Sequence, residues 1–235
     1  MASPRRSKTS GASWRDVTVS PFILVQGGED YIHTRVTDSI KTQLKQAEPD
    51  TEIHHLSAAE YQAGELQVLA SPSLFGEKKL LVFDEMHKMT DAFVVDGLEY
   101  IQYQNPDVTF LGLHGGGNRG KRLLDVLKKS GQHIEAKPIK SDRDRMEFLQ
   151  AEFREARRRI DPDAIRALAD AIGQNLGELA SAAQQLISDT QGTITEDTVE
   201  KYYGGRVQAT AFKVADSALE GQLGSATALL RHALA

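Results

Sequence analysis

Phe22-Ile23-Leu24-Val25-Gln26-Gly27-Gly28-Glu29-Asp30 decides how this chain is built. An apolar run of strand length ends at two glycines, and the residues beyond them repeat with a helical period. Ile32, Val36, Ile40 and Leu44 return every four positions until Pro49 stops the pattern. The unbroken apolar run predicts a strand covered on both faces, and the spacing of four predicts one inward helix face. Working outward, the same alternation recurs. Glu52 to Leu56, Lys79 to Phe83, Val108 to Leu113 and His133 to Lys137 read as further strands. Helical pieces are expected near Ala58 to Gln62, Leu66 to Ala70, Asp91 to Tyr103 and Lys121 to Ser130. Thr90 is placed to cap the third of these, with Phe93, Val94, Leu98 and Ile101 inward. Strands alternating with helices predict an α/β domain with a mainly parallel sheet.

After Lys140 the pattern is helical throughout. Arg143 to Arg158 carries Met146, Leu149 and Phe153 on one face. Asp161-Pro162 supplies a cap and a first-turn proline for a helix with Ile165, Leu168, Ala169 and Ile172 inward. Leu176, Leu179, Ala183, Leu186 and Ile187 line the next, and Thr195 opens a short one bearing Val199, Tyr202 and Tyr203. Helical patterns resume from Val207, with Phe212, Ala215 and Leu219, and run on to Ala235. The expected organisation is a basic tail over 1–20, a sheet domain over 21–140, a small helical domain over 141–206 and, over 207–235, the incomplete beginning of a third domain.

Composition narrows the function classes. The 235 residues are 40% hydrophobic and 26% charged, which is ordinary for a soluble globular protein, and no apolar run is long enough to cross a bilayer. The chain has no cysteine, so disulfides, thiolate metal sites and cysteine nucleophiles are excluded, and a cytoplasmic location is expected. The first twenty residues carry Arg5, Arg6, Lys8 and Arg15 against Asp16 alone, so the remainder is more acidic than the overall charge of −5. Such a body disfavours a broad nucleic-acid surface or a plain DNA-binding module.

A glycine turn after the first strand invites a nucleotide-binding reading. Phosphate there needs several backbone amides and a lysine followed by Ser or Thr at the helix start. Instead Gly27-Gly28 is followed by Glu29-Asp30, with no lysine until Lys41. The two carboxylates repel phosphate but suit a helix N-terminus. Asp84-Glu85, after the third strand, has the form of a Walker B pair, which elsewhere holds magnesium and activates water. Without a phosphate loop it has no nucleotide to act on. His54 and His55 are neighbours on a strand and face opposite ways, so they cannot share a metal. No Gly-X-Ser-X-Gly elbow or recognisable catalytic carboxylate pair occurs; no catalytic residue, metal or cofactor is expected. Gly115-Gly116-Gly117-Asn118-Arg119-Gly120-Lys121 reads as a flexible cationic loop at a strand end, where ligands bind in such folds, or as a plain mobile loop; Arg154 with Arg157-Arg158-Arg159 reads as a solvated helix end, with a DNA or acidic-partner contact as the alternative.

One stretch has no role in this scheme. Ser73-Leu74-Phe75-Gly76 lies between Pro72 and the charged Glu77-Lys78-Lys79, so two large apolar residues occupy a short loop between breakers. They either fold back onto their own domain or plug a partner's pocket.

Taken in order, these pieces resemble the delta subunit family of the bacterial DNA polymerase III clamp loader. The resemblance rests on Leu24 to Tyr31, Ser73 to Lys79, Asp161-Pro162-Asp163-Ala164, Gly173 to Leu179 and Phe212 to Gly221. It implies an AAA+ architecture: a RecA-like domain with a degenerate nucleotide loop at Gly27, Gly28, Glu29 and Asp30, a helical lid, and a helical collar of which this chain holds the start. It further implies that Leu74 and Phe75, presented by Ser73 and Gly76, insert into a sliding clamp (the beta subunit) and that the subunit opens the ring without hydrolysing ATP. Its partners would be the gamma/tau and delta prime subunits and primer–template DNA within the assembled loader, with no membrane. Any enzyme class would be that of the DNA-directed DNA polymerase holoenzyme. Asp84-Glu85 departs from the delta pattern. The rival reading is an active AAA+ or P-loop ATPase acting on DNA.

Overall fold

The computed structural model describes residues 13–73, 76–204 and 217–227. They fall into two compact units divided between Pro138 and Ile139. The first contains strands β1 (Phe22–Gln26), β2 (Glu52–Ser57), β3 (Lys79–Asp84), β4 (Val108–His114) and β5 (Gln132–Glu135). Its helices are α1 (Asp30–Ala47), α2 (Glu65–Leu69), α3 (Asp91–Tyr100) and α4 (Lys121–Ser130). The sheet runs β2-β3-β4-β1-β5 with every neighbouring pair parallel. This α/β arrangement is the one that the apolar runs predict.

Burial follows position in the sheet. The central β4 is buried at all its residues and β1 at all but its last, whereas the edge strand β2 is half-exposed. Side chains alternate between faces. Phe22, Leu24, Leu81, Phe83, Val108 and Phe110 join Leu66 of α2, Phe93 and Tyr100 of α3, and Leu123, Leu124 and Leu127 of α4 in one cluster. The Phe83 and Phe110 rings stack at 4.7 Å. The intervening Ile23, Val25, Leu80, Val82 and Leu111 are equally buried, as is the α1 row Ile32, Val36, Ile40 and Leu44, and none of these belongs to that cluster.

Two expectations fail here for identifiable reasons. Ala58 to Gln62 is a turn, not a helix. The Ala58 amide donates to the Asp84 carbonyl and its carbonyl accepts from Thr90, which fixes it between β3 and α3. Tyr61 then gives its hydroxyl proton to Asp96 at 2.7 Å and accepts from the Leu66 amide at 2.8 Å. Burial and the Asp96 bond raise the pKa of this phenol, so it stays a donor. Helix α3 also stops at Tyr100, leaving Tyr103 on the surface.

The second unit holds α5 (Asp142–Glu155), α6 (Pro162–Ile172), α7 (Leu176–Asp189) and α8 (Glu196–Tyr203). Phe148, Leu149 and Phe153 of α5 are buried with Ile165 and Leu168 of α6 and Leu179, Ala183 and Leu186 of α7. Arg145 is also buried and donates to the Ala169 and Gly173 carbonyls, so a cation satisfies the end of α6 from inside. Neither Asp161 nor Thr195 makes a side-chain capping bond, whereas Asn175 caps α7 through the Glu178 amide. Of the α8 residues, Val199 and Tyr203 are buried and Tyr202 is on the surface. Of the stretch over 207–235, Leu219 and Leu223 are exposed and Ala226 is buried. Phe212, Ala215 and the last eight residues lie outside the described residues.

Candidate functional site

The register of β1 brings Gln26 beside His114 on one side and Glu135 on the other, so the glycine turn opens at the carboxyl ends of the central strands. Ligands of parallel α/β sheets bind in that place. Only three residues, Gly27 to Glu29, separate β1 from α1. The Gly27 and Glu29 amides and the Glu29 carboxylate are already used by the protein. The Gly27 amide donates to the His114 carbonyl at 2.8 Å and the Glu29 amide to the Ala136 carbonyl at 3.1 Å. The Glu29 carboxylate caps α1 by accepting from the Tyr31 amide. Gly27 has φ +142°, and a Cβ there would lie 2.0 Å from the Ala136 carbonyl oxygen. Glycine is thus required by a close strand-to-strand approach. A turn this short, with these amides committed, cannot wrap a phosphate group.

Beyond it lies a cleft of about 410 Å³ lined by Asp30, Asp38, Asp84 and Glu85, with Lys41 as the one permanent cation among its lining residues. His33, His55 and His87, with Thr34 and Thr37, complete its polar wall. Burial pushes the His33 pKa down, so this ring favours the neutral form, and its Nε2 is buried without a hydrogen-bond partner. Asp84 faces His55 Nδ1 at 3.8 Å. Glu85 stands in the left-handed region at φ +53°, uncommon for a residue with a Cβ. Its carboxylate accepts from Lys88 at 2.6 Å and from the Ser57 hydroxyl at 3.3 Å. The Lys88 bond holds that carboxyl below its usual pKa. The structure therefore brings Asp30, Asp84 and Glu85 together, but in a net acidic cleft whose would-be water activator is bonded to a lysine. Among the described residues no cluster of three or more His, Asp or Glu has metal-binding geometry.

The glycine loop after β4 is less free than its composition suggests. His114 is fully buried; its Nδ1 accepts from the Gly116 amide at 3.0 Å, which leaves Nε2 to donate to the Arg119 carbonyl at 3.3 Å. Arg119 itself donates to the Met89 carbonyl and, at 2.7 Å, to Asp91. The cation that composition leaves open for a ligand thus ties the loop to the start of α3.

Leu74 and Phe75 lie outside the described residues, but their frame is defined. Ser73 donates to Glu77 across the loop, and Gly76 has φ +78°. The Lys79 ammonium reaches back to the Leu69 carbonyl at 3.2 Å and the Ser71 carbonyl at 3.0 Å. Asn105 donates to the Ala70 carbonyl at 3.0 Å. Beside the loop, Ala70, Pro72, Tyr100, Tyr103 and Pro106 line a mostly apolar groove of about 430 Å³. Lys79 and Asn105 carry no sequence signal for this role, because each meets the loop only through tertiary structure.

No family model matches the chain, and no curated protein matches it in sequence. Solved structures do resemble it. The Bacillus subtilis DNA clamp loader delta protein superposes with a TM-score of 0.71 at 18% identity, covering 92% of this chain and 68% of that one. The Thermotoga maritima RuvB Holliday junction branch migration motor gives 0.43 at 17% identity over 90% and 74% of the two chains. Domain III of the Thermotoga maritima replication initiation protein DnaA gives 0.43 at 13% identity over 81% and 85%. The likeness of 0.71 shows a shared fold: this chain has the RecA-like parallel-sheet domain and following helices of a clamp loader delta protein.

Proposed function

We propose that the chain is a clamp-loader delta subunit of the replicative DNA polymerase, which grips a sliding clamp through Leu74 and Phe75 and opens the ring without hydrolysing ATP. The observation that carries this reading is a delta-type fold whose strand-end cleft is acidic and lacks a phosphate loop. Such a cleft suits a subunit whose work is done by binding. Gly27, Gly28, Glu29 and Asp30 are then a structural turn, and Asp84 and Glu85 a pair held by His55, Ser57 and Lys88. Ser73 and Gly76 shape the plug. The sheet domain would be joined by a helical lid and the start of a collar, with the other loader subunits and primer–template DNA as partners in the cytoplasm. No helix among the described residues is long and apolar enough to cross a membrane.

The test replaces Leu74 and Phe75 with alanine together. Burying each in a partner is worth roughly 1.5–3 kcal/mol, so clamp affinity should fall by about 3–6 kcal/mol, on the order of a hundredfold to ten-thousandfold. Melting temperature should stay near the parent's. A variant that binds the clamp normally, or that loses about 5 kcal/mol of stability as a core pair would, overturns the plug. Magnesium-dependent ATP turnover lost on Asp84→Asn would establish the rival ATPase.

A further inference from the structure

Helix α5 ends in a Schellman motif built around an arginine. The Arg157 amide donates to the Arg154 carbonyl at 3.0 Å and the Arg158 amide to the Phe153 carbonyl at 2.9 Å. Arg157 takes the left-handed position at φ +53°. Glycine is the usual occupant there because a Cβ is strained in that conformation. Arg158 turns inward, donating to the Ile187 carbonyl at 2.7 Å, the Thr190 hydroxyl at 2.9 Å and the Gly192 carbonyl at 3.3 Å. The Ile194 amide donates to the Arg159 carbonyl and the Asp161 amide to the Ile194 carbonyl, so the corner's backbone is held from both sides.

From this fixed corner Arg154, Arg157 and Arg159 project to the surface, and among the described residues none of their guanidinium groups makes a hydrogen bond or ion pair. They line a groove of about 590 Å³ in which Asp161 is the lone carboxylate, and Glu155 does not line it. A solvated helix end accounts for Arg154. It does not account for an arginine kept in a strained glycine position, or for Arg159 beyond the helix. Of the large apolar lining residues, Phe153 and Ile165 are only 1% and 4% exposed and Ile160 is partly buried, so a protein partner would find little apolar surface to anchor on. Phosphate oxygens need none; they need planar forks of fixed position.

We propose that Arg154, Arg157 and Arg159 form a binding site for the phosphate backbone of nucleic acid. The choice of DNA as that nucleic acid rests on the clamp-loader reading; the site itself does not. The patch is local, which reconciles it with a chain of net charge −5.

The experiment measures fluorescence anisotropy of a labelled primer–template DNA with the full chain across a salt series. Each phosphate contact contributes a slope of about 0.9 in log affinity against log salt. The triple variant Arg154→Gln/Arg157→Gly/Arg159→Gln should therefore flatten the slope by roughly 2 to 3, and the parent should lose on the order of fortyfold more affinity than the variant between about 50 and 200 mM salt. Arg157→Gly alone should flatten it by about 1 while melting at or above the parent temperature, a combination that a purely structural arginine does not give. A slope unchanged in both variants, or no DNA binding by the parent at low salt, overturns the site. So does a poly-glutamate peptide that displaces DNA at equal charge concentration and depends equally on the three arginines, since that marks an acidic protein as the partner. An equal response with labelled RNA supports the site. Leu74→Ala/Phe75→Ala should leave DNA binding intact. Loss of the arginine effect with the plug confirmed, or the reverse, tells which of the two proposals has failed.

Discussion

Glu85 and Arg157 are the two non-glycine residues with left-handed backbone among the described residues, and their side chains are used in opposite ways. Glu85, after β3, has its carboxylate bonded to Ser57 and Lys88. Arg157, after α5, leaves its guanidinium in solvent. The left-handed strain, about 1–2 kcal/mol, is accompanied at the first site by side-chain bonds within the fold and at the second by backbone bonds alone. The difference separates strain that serves the fold from strain that serves something outside it.

The largest expected effect tests how rigidly the first region is built. Gly27→Ala drives a Cβ into the Ala136 carbonyl from a backbone angle that alanine avoids, so it should destabilise the sheet unit by about 3 kcal/mol or more in urea titrations. Near-parental stability would mean that the turn is slack and its amides could be released to a ligand.

Acid should act on the same unit. Burial lowers the pKa of His33, His114 and His133 from the ordinary 6.5. A histidine depressed in the folded state binds fewer protons than the unfolded chain, so its contribution to stability is complete above about pH 6.5 and is lost as pH falls toward the folded value. The described residues of the helical unit contain no histidine. Hydrogen exchange between pH 7.5 and 5.5 should show weakening of the sheet ahead of α5 to α8; equal loss in both units would place the sensitivity elsewhere.

The smallest effects fall on the two strained residues themselves. Arg157→Gly should raise stability by about 1 kcal/mol, because relief of the left-handed strain has no lost bond to offset it. Glu85→Gly gains the same relief but loses its bonds to Ser57 and Lys88, and should end closer to the parent than Arg157→Gly does. Paired denaturation curves read the contrast directly. If both variants gain equally, the bonds at Glu85 contribute nothing.

Much of the sheet was legible because its signals are local. Runs such as Phe22 to Val25 and Leu80 to Phe83 are too apolar to stand anywhere except the middle of a parallel sheet, and the α1 row needs only its spacing. Failures came where a distant partner decides local shape. Tyr61 abandons a helix because Asp96, far along the chain, accepts its hydroxyl hydrogen bond. Arg119 looks free until Asp91 is brought beside it. At the candidate site, the missing phosphate lysine and the Walker B form of Asp84-Glu85 were visible. That Lys88 binds Glu85, and that Lys79 and Asn105 hold the loop before β3, depends on geometry that no pattern encodes.

The Lys79 contact has a mechanical consequence. Lys79 is the first residue of β3, paired with Glu52 of β2 and Val108 of β4, and its ammonium holds two carbonyls on the near side of the loop. A pull applied between Ser73 and Gly76 meets this bracket before it can peel α2 away. The load passes into the strand lengthwise, where the ladders on either side resist it in shear, with many hydrogen bonds sharing the force at once.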